Sequence, residues 1–202
     1  MPIVSKCLSA LLTFWLALSL STGEVGATTV VGREATSPVT VPIYRITDLT
    51  VIVPADLRVS EADSYFPLAD IVWHGDPEGD RRVQVAQIFR EAVGLAIADQ
   101  PTGQEATLEI VVTRFHCLTR KARYTIGGRH SIHFDLTLRD AQTGSILSGP
   151  ETVIAVLRAP DGAGALTEEY ELGRSQRAVI VAWLSHVIRR QIALPGMVKV
   201  AR

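Results

Sequence analysis

Apolar and polar residues alternate with two different periods along this chain, and each period predicts a different element. Within residues 131–139 every second residue is apolar, which is the pattern of a strand with one buried face. Within residues 81–99 apolar residues recur at intervals of three and four, which predicts an amphipathic helix capped by Asp80. A second helix is expected to begin at Thr167 and to end before Pro195.

The remaining β-rich runs are expected to complete one sheet. Gly127 and Gly128 suit a tight hairpin turn, residues 140–144 suit a second one, and Gly149-Pro150 predicts a kink or bulge in the last strand. Residues 160–165 are expected to form a flexible loop. The predicted strands are residues 46–53, 107–123, 131–139 and 146–157.

The order of these elements, β-α-β-β-β-α, predicts an α+β fold. In such a fold an antiparallel β-sheet carries two helices packed on one face. The domain is expected to cover residues 45–196, after an extended leader at residues 28–44 and before a C-terminal tail at residues 197–202. A length of this order suits a single domain.

Residues 1–27 have the pattern of a secretory signal peptide. Lys6 precedes an uncharged run at residues 7–20, and Val25 and Ala27 occupy the two positions that signal peptidase reads. As a helix the run would span about 21 Å, against about 30 Å of bilayer hydrocarbon, so we expect cleavage after Ala27. Cys7 opens the apolar run instead of following it, which argues against lipidation. The mature protein is therefore expected in the periplasm or cell envelope.

The charge balance argues against nucleic acid as a partner. The formal net charge is −1, whereas nucleic-acid-binding proteins carry a basic patch or stripe. A basic stretch near the first hairpin could bind an anion, but we favour a role in protecting strand edges from aggregation. This stretch contains Arg114, Arg120, Lys121, Arg123 and Arg129.

Histidine and cysteine side chains lie close together in sequence without predicting a metal site. With a tight hairpin turn, His116 would lie opposite Arg139 and about 20 Å from His133. His130 and His133, three residues apart in a strand, would point to opposite faces. Cys117, the one cysteine outside the signal segment, is expected to be a small buried hydrophobe. We therefore expect no metal here.

A turn-rich acidic segment before the first helix is the candidate binding loop. Carboxylates in a loop could bind calcium, and Trp73 could form a platform for a small ligand or a glycan. The alternative, which we favour, is a structural turn in which Trp73 is buried and Asp80 caps the helix. The candidate residues are Trp73, His74, Asp76, Glu78 and Asp80.

The sequence carries none of the common catalytic or cofactor signatures. A nucleophile elbow, a His-Glu-x-x-His motif, a phosphate-binding loop and a dinucleotide fingerprint are all missing from it. We therefore predict no enzymatic activity, no catalytic residues and no cofactor.

Two segments resemble a poorly characterised family of exported, lipoprotein-like bacterial cell-envelope proteins of unknown function. They are residues 71–77 together with Asp80-Arg81, and residues 138–147. The resemblance implies a location in the cell envelope, and it supplies no catalytic residues.

Three functions remain open from the sequence. The leading hypothesis is an envelope accessory protein that binds another envelope protein through its sheet edge or the exposed side of its last helix. Peripheral membrane association is also possible, and nucleic acid is not expected. The alternatives are a periplasmic domain that binds a small ligand or a glycan through the Trp73 loop, and an unrecognised enzyme.

Overall fold

The computed structural model describes residues 43–100 and 102–193. The predicted signal peptide, its cleavage site at Ala27, most of the predicted leader and the predicted tail lie outside the described residues. Within the described ranges, no helix has the length and apolar composition needed to cross a membrane. Tyr44, placed at the end of the leader by the sequence, is buried and begins the first strand.

The described residues form one sheet and a layer of helices. A π-helical turn, Thr167–Glu171, lies between the last two α-helices. The strands are β1 (Tyr44–Ile52), β2 (Val59–Ser60), β3 (Ile71–Val72), β4 (Gln104–His116), β5 (Gly128–Asp140) and β6 (Ile146–Ala159). The helices are α1 (Arg81–Ile97), α2 (Arg120–Arg123), α3 (Gly162–Leu166) and α4 (Gln176–Ala193).

The three long strands β4, β5 and β6 form an antiparallel meander, as the sequence predicts. β1 and β3 both pair with the other edge of β4, and both run parallel to it. This direction follows from the connection through α1, because parallel neighbours require a crossover rather than a hairpin. The α+β class, with α1 and α4 packed on one face of the sheet, is confirmed.

The core lies between that face and the two long helices. The alternating residues Ile132, Phe134, Leu136 and Leu138 of β5 are almost fully buried, which confirms the period-two pattern. Phe134 packs edge-on against Phe89 of α1, with 5.2 Å between ring centroids. Apolar alternation on the strands and the helical period on α1 therefore meet in one cluster.

The connection from β4 to β5 differs from the predicted tight hairpin. β4 ends at His116, and the short helix α2 occupies part of the connection because Thr119 caps it by accepting from the Ala122 amide at 3.1 Å. His116 consequently lies opposite Ser131 rather than Arg139. The predicted separation of His116 and His133 is therefore wrong, although His130 and His133 do differ in burial as expected for opposite faces.

The last helix begins later than predicted. Thr167 lies in the π-helical turn, and α4 starts only at Gln176. Gly173, with φ of 63°, separates the two, because this left-handed conformation interrupts a helix. Residues 162–166 form α3 instead of a flexible loop, since Asp161 accepts from the Gly164 amide at 3.4 Å and caps the turn.

Other local predictions are confirmed. Asp140 accepts from the amides of Gln142 and Thr143 at 3.0 and 2.8 Å, and Gly144 has φ of 71°, as the predicted turn requires. The bond from the Thr143 amide and then the one from the Gln104 side chain are the largest causes that lower the pKa of Asp140 to about 2. The β5–β6 register shifts beside Gly149-Pro150, as a bulge would produce. Cys117 is buried, which raises the pKa of its thiol.

Candidate functional site

Trp73, the first residue of the candidate loop, is fully buried. Its ring packs edge-on against Phe115, with 5.5 Å between ring centroids, and its indole N–H donates to Asp76 Oδ2 at 2.8 Å. Gly75 lies against the indole, where a Cβ would come within 2.4 Å of the ring. Trp73 is therefore a core residue, as we favoured, and the loop wraps closely around it.

Asp76 ties this loop to both long helices. The same Oδ2 atom accepts from Arg177 Nη1 of α4 at 2.6 Å. Arg177 Nη2 in turn donates to Glu91 Oε1 of α1 at 2.8 Å. The Asp76 carboxylate is thus engaged in contacts that hold the loop, α1 and α4 together.

Asp80 caps α1, as predicted. Its Oδ1 accepts from the backbone amides of Arg82 and Val83 at 2.8 and 3.2 Å. Two amides at the start of the helix thereby gain an acceptor that the helix itself does not provide. Glu78 is exposed beside this cap.

Arg81, the first residue of α1, is a buried cation, and the sequence pattern did not predict its burial. Its side chain is only 5% exposed and donates to Glu61 at 2.7–3.1 Å, to the Pro77 carbonyl at 3.0 Å and to Gln84 at 2.8 Å. The hydrogen bond from Arg81 lowers the pKa of Glu61 against the opposing effect of burial. Glu61 lies 20 residues earlier, so local spacing could not reveal the pair.

An open cavity of about 500 Å³ lies over this loop, and His74 and Glu78 line it together with Arg81 and Arg120. Burial is the main cause that lowers the pKa of His74, and its Nε2 has no hydrogen-bond partner among the described residues. Both cations and carboxylates line the cavity, so it has no single sign of charge. Within residues 43–100 and 102–193, no three His, Cys, Asp or Glu side chains come together as metal ligands.

The segment of residues 61–70, called here the Phe66 loop, displays apolar side chains to solvent. Phe66 and Leu68 are 81% and 90% exposed, whereas Pro67 between them is buried. Asp63 Oδ1 accepts from the Lys121 amide at 2.8 Å, and the Ser64 carbonyl accepts from Thr119 Oγ1 at 2.9 Å. These bonds hold the loop against α2.

The other end of the Phe66 loop is also held. Asp70 Oδ2 accepts from the Arg58 amide at 2.9 Å, and this bond is the largest cause that lowers the pKa of Asp70. Lys121 Nζ lies 4.7 Å from the centroid of the Tyr65 ring, a cation–π contact beside the exposed residues. The loop therefore presents its apolar side chains from a fixed backbone with charged groups around them.

Sequence reasoning missed this surface because residues 61–70 have no helical or strand period. The available signal was local. Tyr65, Phe66 and Leu68 are apolar residues in a segment otherwise rich in acidic and small side chains, where no periodic face exists to bury them.

Fold and surface together define a two-layer α+β protein that carries a constrained apolar loop at one end of its sheet. The chain belongs to a family of unknown function, DUF6778, whose model matches residues 44–202. No curated protein matches the chain.

Solved structures resemble the chain at low sequence identity. A candidate lipoprotein from Caulobacter crescentus CB15 is 18% identical, with 54% of this chain and 80% of that chain covered and a TM-score of 0.29. A minor lipoprotein from Acinetobacter baumannii is 15% identical, with 78% of this chain and 99% of that chain covered and a TM-score of 0.30. A DUF330 protein from Xanthomonas campestris is 13% identical, with 75% of this chain and 90% of that chain covered and a TM-score of 0.32. The predicted membership in a poorly characterised family of unknown function is confirmed by the family match. TM-scores near 0.3 assign no activity and no role to the chain.

Proposed function

We propose that this chain is an exported cell-envelope accessory protein that binds another envelope protein and catalyses no reaction. The location rests on the signal-peptide pattern of residues 1–27. The binding role rests on one observation, the exposure of Phe66 and Leu68 on a loop held by hydrogen bonds on both sides.

A constrained apolar loop suits protein binding for two reasons. Covering Phe66 and Leu68 removes apolar surface from water, which is the main favourable contribution to association. The backbone around them is already fixed by Thr119, Lys121 and Arg58, so little conformational entropy remains to be lost on binding.

The charges around the Phe66 loop favour a protein over an anionic membrane surface. The cations Arg120 and Lys121 stand beside the acidic residues Glu61 and Asp63, and Arg120 Nε lies 4.0 Å from Asp63 Oδ2. An anionic lipid surface would repel these carboxylates. A protein interface accommodates both signs, because its apolar centre is surrounded by a polar rim.

The two surfaces named from the sequence are less favourable. Among the described residues, none of the large exposed apolar side chains lies on α4. The edge strand β6 does expose Ile146 and Ile154, but only to 54% and 43%, well below the exposed fractions of Phe66 and Leu68. Ile154 therefore provides a comparison surface.

Affinity capture from detergent-solubilised envelope, followed by binding measurements with the purified captured partner, tests the proposal. We expect Phe66→Ser/Leu68→Ser to weaken binding at least about tenfold, since buried apolar anchors dominate interfaces. The matched control Ile154→Ser should stay within about twofold of wild type. Loss of binding in the control but not in the loop variant would move the interface to the sheet edge and contradict the proposal.

A vesicle assay distinguishes a protein partner from a membrane. The mature protein is mixed with phosphatidylglycerol vesicles and sedimented, and we expect it to stay in the supernatant. Sedimentation of wild type that Phe66→Ser/Leu68→Ser abolishes would replace the protein partner by a lipid surface.

N-terminal sequencing and intact mass of the exported protein test its location. We expect a mature chain that begins at Thr28. A form that retains Cys7, or carries lipid on it, would contradict cleavage after Ala27.

A further inference from the structure

A small cavity away from the Phe66 loop is lined by three buried polar side chains. Its volume is about 130 Å³, and it lies between α2, the first residues of β5, the end of β6 and the start of α4. Arg123, His130 and Gln176 line it and are 5%, 3% and 4% exposed. At about 30 Å³ for each water molecule, the cavity has room for about four waters or one small polar group.

Arg123 brings an unpaired donor to this cavity. Its Nη1 donates to Glu169 Oε2 at 2.5 Å, but its buried Nη2 has no hydrogen-bond partner within the described residues. Glu168 Oε2 forms an ion pair with Nη2 at 3.8 Å, a distance too long for a hydrogen bond. A buried guanidinium N–H without an acceptor is unfavourable, so this atom is suited to an oxygen supplied from outside.

His130 adds a second donor. Its Nδ1 accepts from the Leu118 amide at 3.3 Å, so the neutral ring carries its proton on Nε2. Burial, and then the charge of Arg123, lower the pKa of His130 to about 4. The ring is therefore neutral at pH 7. Gln176 is oriented through the same residue, since its Nε2 donates to the Leu118 carbonyl at 3.0 Å.

Two further cations lie near the cavity. Arg158 lines both this cavity and a neighbouring open one of about 560 Å³. Arg129 pairs with Arg158 across β5 and β6, on the sheet face opposite His130, and like charges directly opposite each other are unfavourable. Glu168, which lines this cavity, and Asp161, which lines the neighbouring one, limit how much negative charge the region accepts.

We propose that this cavity binds the carboxylate group of a small organic acid. The carboxylate oxygens accept from Arg123 Nη2 and His130 Nε2, and the rest of the ligand extends past Arg158 into the open cavity. A carboxylate suits the site better than a phosphate, because Glu168 and Glu169 already offset the charge of Arg123 and repel a second negative charge on the ligand. Charge-assisted hydrogen bonds of this kind are the strong ones in proteins.

Titration calorimetry of the mature protein with sodium acetate and sodium succinate, at constant ionic strength, tests this proposal. We expect both to bind wild type. Arg123→Lys should weaken binding at least about tenfold, because it removes the unpaired N–H, and Arg158→Gln should weaken succinate about threefold or more. Arg90→Gln, an exposed arginine of α1, is the matched control and should stay within about twofold.

Two further measurements keep the outcome decisive. If Arg123→Lys fails to fold, the exposed Arg158→Gln variant and the nitrogen chemical shifts of His130 in wild type still report on the site, and acetate should shift the Nε2 signal. Sodium phosphate and glycerol serve as competing probes. Binding of phosphate or glycerol without acetate would overturn the carboxylate assignment, and binding of none of the probes would show a cavity that holds only water.

Discussion

The middle of the sheet and the end beside α2 are built from different interactions. In the middle, Phe89 and Phe134 pack edge-on inside an apolar cluster. At the α2 end, Arg81 and Arg123 are as buried as many core residues, and each makes ion pairs with glutamate. Apolar burial needs only the right period, whereas a buried cation needs a specific partner. The two regions therefore differ in how readily a sequence reveals them.

Partners at the α2 end come from distant parts of the chain. Arg81 pairs with Glu61, and Arg177 pairs with Asp76 over 101 residues. Desolvating such ions opposes much of their mutual attraction, so they add less stability than their number suggests. They do fix the geometry of the loops that carry the exposed Phe66 and the unpaired Nη2 of Arg123.

The largest predicted effect belongs to the apolar region. Phe134→Ala should lower the free energy of unfolding by about 3–5 kcal/mol, because the side chain is fully buried against Phe89. His133→Ala, on the half-buried opposite face, should change it by no more than about 0.5 kcal/mol. Urea melts of both variants measure the difference. Equal losses at the two positions would mean that both faces of β5 are buried.

The apolar region was also the part that the sequence predicted well. Alternation in residues 131–139 and the helical period in α1 identify the core residues, and the Asp80 cap follows from local spacing. The parallel pairing of β1, the helix α2 and the late start of α4 at Gln176 were not predictable in this way. The parallel pairing depends on the crossover through α1, and the other two depend on single residues, the Thr119 cap and Gly173, which a hydrophobic period does not encode.

The candidate loop shows the same limit. The burial of Trp73 and the capping role of Asp80 were expected, since each follows from neighbouring residues.

The burial of His130, which lines the small cavity, had a sequence signal that was not used. His130 lies two residues before Ile132 in β5, so strand alternation places it on the same buried face as Ile132 and Phe134. The missing hydrogen bond at Arg123 Nη2 had no such signal, since it depends on the 3.8 Å distance to Glu168 Oε2, which only the three-dimensional structure shows.

The next largest effect concerns the α2 end. Arg81→Met should lower stability by about 2–3 kcal/mol, because the variant removes several charge-assisted hydrogen bonds, one of them to a backbone carbonyl. The loss stays below that of a fully buried pair because the Glu61 side chain is 57% exposed and regains water. Arg58→Met, from an exposed pair with Asp70, should change stability by less than about 0.5 kcal/mol. Similar losses of stability in both variants would show that the buried Arg81 contributes no more to folding than the exposed Arg58 does.

Acid should also weaken the α2 end more than the apolar core. The pKa of His130 falls from 6.5 to about 4 in the fold, so the folded state disfavours its protonation. The stability that the neutral His130 ring contributes is complete above pH 6.5 and declines as the pH falls towards 4. We expect the free energy of unfolding to fall by about 2 kcal/mol between pH 7 and pH 5 for this reason.

Urea melts of wild type and His130→Gln at both pH values measure this loss. Burial also lowers the pKa values of His74, His116 and His133, so the difference between the two proteins isolates His130. An unchanged pH dependence in His130→Gln would mean that His130 is not desolvated in the fold.

The smallest effects distinguish a structural turn from a metal site in the candidate loop. Asp80→Ala should cost about 1 kcal/mol, because the amides of Arg82 and Val83 lose their acceptor. Glu78→Ala should be nearly neutral, since the side chain is exposed. Calorimetry with calcium and with chelator should give the same melting temperature, because a ligand that binds only the native state would raise it. A calcium-dependent rise in melting temperature that Asp76→Asn, Glu78→Ala and Asp80→Ala abolish equally would instead make this loop a cation site. Asp76 and Asp80 would then exchange their hydrogen bonds to Trp73 and to the helix amides for bonds to calcium.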